Sequence, residues 1–178
     1  MKSIKIILLL SVFVSFSINA TAQSDKCKFD VEKKDAFSGK EYKSVKVDLM
    51  ATHEKANQKY SFEFVKNDTI YYMTISRTFS GRQVDVIPVG EEILFKLSGG
   101  AILHLAVSEE TTPTLNSTGT GVSSTYKMSV KLTKDILEKL SSKAITNLKF
   151  AVGKLDVQGE LSKDEAEKIT RVCKCLLK

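Results

Sequence analysis

The sequence predicts an α+β fold: a mostly antiparallel, curved sheet of about eight strands, a short helix near 134–141, and a C-terminal helix packed on one face. Three observations carry the prediction. Apolar and polar residues alternate one by one along most of the chain, the pattern of strands with one wet face. Two segments switch to helical spacing. Turn-forming residues, notably Ser98-Gly99-Gly100 and Gly153, separate the alternating runs. The alternative for the same pattern is a small closed β-barrel capped by the C-terminal helix.

Taken in order, the first 22 residues, MKSIKIILLLSVFVSFSINATA, read as a signal peptide. Lys2 and Lys5 form a basic start, Ile6 to Ile18 is apolar, and Ala20-Thr21-Ala22 has the small-x-small pattern that signal peptidase reads. Cleavage after Ala22 is expected. The apolar run is short for the roughly 20 residues that span a bilayer. Ser24-Asp25-Lys26 does not offer the apolar and small neighbours that lipidation of Cys27 requires. Residues 23–178 then form a single α+β domain of about 156 residues, long enough for one core. The domain is expected in the periplasm or outside the cell, with no membrane span in the mature chain.

Alternation places Cys27, Phe29 and Val31 on one side of a first strand, and Val45, Val47 and Leu49 on one side of the next. Tyr60, Phe62 and Phe64 follow, then an Asn67-Asp68 turn, then Tyr71, Met73 and Ile75 opposite Thr74, Ser76 and Thr78. EEILFKL and AILHLAV flank the Gly-Gly turn, a hairpin signal because glycine reaches positive φ without steric cost. Residues 111–125, TTPTLNSTGTGVSST, are expected to be a flexible loop. Tyr126, Met128, Val130 and Leu132 mark another strand, and NLKFAV and KLDVQ a last hairpin. Thr133 is read as the N-cap of the short helix, with Ile136, Leu137 and Leu140 at helical spacing. Ser162 and Glu165 form a capping-box pattern ahead of the stripe Ala166, Ile169, Val172, Cys173, Leu176.

The chain carries a formal charge of +6, two units of it from the signal. Both signs are interleaved in KCKFDVEKKD and LTKDILEKLSSK, which argues for a solvated surface; nucleic acid is not an expected partner, since no aromatic-plus-basic cluster occurs. HEKAN at 53–57 resembles the start of a zinc-binding His-Glu-x-x-His helix, but position 57 is asparagine. His104 stands alone in a strand, and the pairs Glu91-Glu92 and Glu109-Glu110 are adjacent residues whose side chains diverge. No catalytic, cofactor or metal site is therefore assigned.

Three cysteines remain. A metal needs about four ligands in a structural zinc site. A redox dithiol belongs at a helix start, whereas Cys173 and Cys175 fall at a helix end. A disulfide from Cys27 to the final helix is the expected use, in keeping with export. Helical phase slightly favours Cys173 as the partner, because it lies on the core stripe and Cys175 about 200° round it; fraying of the last turn keeps Cys175 open.

The first-strand cysteine followed by DAFSGK (35–40), the Gly-Gly hairpin, LTKDILEKLSSKAITNLKF (132–150) and the capped helix ending Lys-Cys-Leu together resemble a family of small exported proteins of unknown function from Bacteroidota-type bacteria. The resemblance implies export and this architecture, and no activity. It favours Cys27–Cys175, with Cys173 a free thiol where an aliphatic residue would be expected. Asp68-Thr69-Ile70 also resembles the Asp-Thr-apolar acceptor of periplasmic O-glycosylation in that bacterial group, which implies a modified Thr69.

The expected function is that of an exported, non-catalytic binding or interaction domain for an unknown protein or glycan partner. An exposed aromatic patch at Tyr71, Tyr72 and Tyr126 would serve it. The alternatives are a carrier of a small apolar ligand in a barrel cavity, and an enzyme of unrecognised type.

Overall fold

The computed structural model describes residues 27–54, 56–119 and 121–178. The expected signal peptide, 1–22, and its cleavage point after Ala22 lie outside them. Chain order is β1 (Val31–Lys34), β2 (Glu41–His53), β3 (Ala56–Asn67), β4 (Ile70–Ser80), β5 (Glu92–Leu97), β6 (Ile102–Ala106), β7 (Thr114–Thr118), β8 (Gly121–Leu132), α1 (Lys134–Ser142), β9 (Ile145–Val152), β10 (Leu155–Leu161) and α2 (Lys163–Leu176). The strands form one antiparallel sheet in the order β6-β5-β9-β10-β2-β3-β4-β8-β7, with β1 also on β2.

Register follows the alternation. Residues directly opposite one another share a face, so Val47, Phe62, Ile75 and Met128 make one row across β2, β3, β4 and β8. Val157, Phe150, Ile93 and Leu105 make the matching row across β10, β9, β5 and β6. Both rows are buried, and a one-residue slip of any strand would turn its apolar set outward.

The sheet has ten strands rather than about eight. One addition is β7, inside the stretch expected to be a loop: Thr114–Thr118 pairs with Gly121–Thr125 of β8. Its Ser and Thr residues suit an edge strand, but Leu115 and Val122 stay exposed, so no apolar row announced it. The first strand also starts later than the alternation suggested, at Val31, leaving Cys27 and Phe29 in an irregular lead-in.

The closed-barrel alternative is not formed. β6 and β7 remain the two ends of the sheet, joined by no ladder. The chain between them runs along β8 instead, through an isolated bridge Val107–Val130 and a bond from Ser108 N to Ser129 O of 2.8 Å. The connection after β4, residues 81–91, crosses one end of the sheet with Ile87 buried. The Tyr126 hydroxyl donates to the Asp85 carbonyl at 2.8 Å. Gly153, at φ +58°, sits so close beneath Asp85 that any Cβ there would collide with its side chain.

α1 is capped by Thr133, whose Oγ1 accepts from Ile136 N at 3.3 Å, and buries Leu137 and Leu140. In α2, Ser162 Oγ accepts from Glu165 N at 3.3 Å. The reciprocal half of the capping box is not made: Glu165 Oε1 takes Lys168 Nζ at 2.8 Å instead. α2 buries Ala166, Ile169, Val172, Cys173 and Leu176 against α1, β2, β3, β9 and β10. Among the described residues, no helix is long and apolar enough to cross a membrane.

One edge of β2 is shared. β10 pairs with it at Ala51 and Thr52, and β1 at Glu41 to Ser44. Between them the Asp30 carboxylate accepts from Lys46 N at 2.6 Å. α2 leaves directly after β10, and its end is bonded to the lead-in of β1 by the disulfide Cys27–Cys175, Cα to Cα 5.4 Å. Closing a loop with a sequence separation of 148 is worth about 5 kcal/mol as an upper figure in the chain-entropy account. Cys173 is the buried free thiol.

Candidate functional site

Outward-facing residues of β2, β3, β4 and β8 line an open groove of about 450 Å3. Its floor is short and hydroxylic: Ser61, Thr74, Ser76 and Thr125 are half-buried although they face away from the core. Long charged side chains, Lys46, Asp48, Lys59, Glu63 and Lys127, stand exposed around them. Small residues in the middle and long ones at the margin make a sheet face concave.

The rim is ionised and partly paired. Lys59 Nζ lies 3.1 Å from Asp48 Oδ2. Hydrogen bonds from Lys59 and then from the Ser61 hydroxyl hold the Asp48 carboxyl below the usual carboxylate range. The Thr78 and Thr125 hydroxyls share a bond of 2.9 Å, and Asn116 Nδ2 donates to Thr125 Oγ1 at 3.1 Å. Donors, acceptors and both signs of charge thus face one ligand-sized space.

A second open groove, about 440 Å3, lies over β10, β9 and β5 and is lined by Lys96, Asn147, Lys149, Gln158 and Glu160, with Leu94 and Ile102 at its side. Lys149 Nζ meets Asp156 Oδ2 at 2.9 Å beside it. With Thr52 as the one hydroxyl among its lining residues, it lacks the row of hydroxyls that floors the first groove, which is the stronger candidate.

The aromatic patch does not exist as expected. Tyr126 is fully buried, because its position in β8 pairs with Arg77 on the inner face. Tyr71 points the same way and packs against the core. Tyr72 alone is on the outer face, half-buried, two residues along β4 from Thr74 of the groove floor. The hidden signal was phase: Tyr71 and Tyr126 belong to the same alternating rows that mark the core.

Thr69 is exposed in the two-residue β3–β4 turn, which Asp68 enters at φ +55°. His53 and Asn57 sit on opposite arms of the β2–β3 hairpin, with no zinc helix between them. His104 Nδ1 lies 3.2 Å from Glu92 Oε1 on the outer face of β6 and β5. No group of three or more metal-ligating side chains is assembled among the described residues. Cys175 carries the disulfide, and burial pushes the Cys173 thiol up to about 12, far from the reactive range.

No protein-family model, no curated protein and no solved structure matches the chain.

Proposed function

We propose that the protein is an exported, non-catalytic binding domain that holds a glycan in the hydroxyl-floored groove of β2, β3, β4 and β8. The observation that carries this reading is the floor itself, Ser61, Thr74, Ser76 and Thr125 half-buried between charged walls. A hydroxyl both donates and accepts, so a row of them matches the alternating donors and acceptors of a sugar. Asp48 and Glu63 add acceptors and Lys46 and Lys127 add donors, while Tyr72 lies outside the lining, two residues along β4 from Thr74.

Export to the periplasm or beyond is part of the proposal, supported by a disulfide of the kind that persists in oxidising compartments. The leader at 1–22 and the Bacteroidota-type family likeness belong to the same reading. So does O-glycosylation of Thr69, supported by its exposed turn; a hexose-scale mass increment on the native peptide is expected, and an unmodified peptide removes it.

The test is an oligosaccharide array followed by calorimetry on the hits. Thr74→Arg or Ser76→Arg should fill the groove, weaken binding at least tenfold and leave the melting temperature in place. A protein that binds no glycan, or a Ser76→Arg variant that binds as the parent does, overturns the reading.

A further inference from the structure

Charges interleaved along the sequence are sorted in space where the two helices finish. Arg171 and Lys174 lie three residues apart on the exposed side of α2, Lys178 follows its C-cap, and with Ser141, Cys175 and Leu177 they line a cleft of about 260 Å3. α1 ends at the same place, with Lys139 in its last turn and Lys143 as its C-cap. The disulfide brings a third segment, since Lys28 follows Cys27. Among the described residues none of these six cations takes part in an ion pair. The three acids of α2 fall in its N-terminal half: Asp164 and Glu165 in the first turn, and Glu167, one turn before Arg171, where it pairs with Lys163 at 3.9 Å.

Basic residues in a last helical turn answer the helix dipole, which places about half a negative charge at each C-terminus. Two helix ends therefore account for about one of the six charges. The rest repel one another across solvent, and an anion seated between them relieves that repulsion. The cleft has room for about nine water volumes, more than a bare tetrahedral ion fills. Ser141 Oγ already donates to the Glu138 carbonyl at 2.8 Å, so the donors left to a ligand are cationic.

We infer that this cleft is a binding site for a phosphate or sulfate ester on a small polar carrier. The planar Arg171 guanidinium supplies paired N–H donors to the oxyanion, and Lys174 and Lys178 supply point charges. The site is separate from the sheet groove and stands whether or not that groove binds a glycan.

The experiment is a titration of the disulfide-bonded protein, followed by melting temperature and by calorimetry, with glucose 6-phosphate, inorganic phosphate, inorganic sulfate and matched chloride. The ester is expected to bind saturably and raise the melting temperature beyond chloride. Arg171→Gln with Lys174→Gln should weaken it at least tenfold. Lys34→Gln with Lys154→Gln, which removes the same charge from exposed unpaired positions elsewhere, should change it less than twofold. Equal effects of ester and chloride, or equal losses in the two double variants, would mean general charge screening and overturn the site. Inorganic ions binding as tightly as the ester would overturn the choice of an ester. Both double variants alter exposed side chains, and their melting in chloride alone verifies the fold.

Discussion

The C-terminal corner covers the inner strands of the sheet and the β7–β8 hairpin forms one of its edges, and the two are held by opposite means. At the corner, α2 buries five side chains and a disulfide ties it to the lead-in of β1. At the hairpin, Leu115 and Val122 are 47% and 44% exposed, and the arms are held by backbone pairing and by hydroxyls such as Ser124 Oγ to Gly81 O at 2.9 Å. The lesson is one of cooperativity. Regions rich in buried apolar contact open only with the whole domain, whereas solvated ladders open locally.

The sharpest way to break this comparison is to cut the bridge. Cys27→Ser or reduction should cost about 2–5 kcal/mol, read from urea unfolding with and without reductant. Coincident unfolding curves would show that the corner is held by packing alone. Next in size, Ile169→Ala, in the fully packed stripe of α2, should cost about 2–5 kcal/mol, while Leu115→Ala should stay within about 0.5 kcal/mol. Similar losses at both sites would erase the distinction. Amide exchange sharpens it: residues 114–119 and 121–122 should exchange orders of magnitude faster than β3.

Smaller effects refine the corner. Ser162→Ala removes the Glu165 N–H partner and should cost about 1 kcal/mol, measured by thermal unfolding. Cys173, buried and with its thiol raised to about 12, should resist alkylation at pH 8 until denaturant is added; labelling of the folded protein would place it outside the core. Smallest is the groove rim. The Asp48 carboxyl is depressed in the folded state, so its contribution is present above the unfolded pKa near 3.9 and is lost as pH falls through the lower folded value. Asp48→Asn should flatten that part of the acid-unfolding profile, and an unchanged profile would remove the Lys59 pairing as its cause.

The expected pairing, Cys27 with Cys175, is the one formed, and the cysteines show how far helical phase alone reaches. Phase put Cys173 on the core stripe, and that is where it lies. The same phase made it the better disulfide partner, yet Cys175 makes the bond because Cys27 approaches from beyond β1, at the rim of the helix rather than beneath it. The groove was legible only in part. Thr74, Ser76 and Thr78 were read as the wet side of a strand, but their neighbours across β3 and β8 are more than ten and forty residues away in the chain.

Sequence alone determined the elements: strand faces, both helix stripes, the Thr133 and Ser162 caps and the glycine turns, because each depends on residues within a turn or two of one another. Tertiary structure decided what those elements do together. It left the sheet open at β6 and β7, made an edge strand from the Ser/Thr stretch, buried Tyr126, paired Cys27 with Cys175, and gathered scattered cations around the helix ends. Each of these outcomes depends on distances between segments far apart in the chain, and only packing into one core sets them.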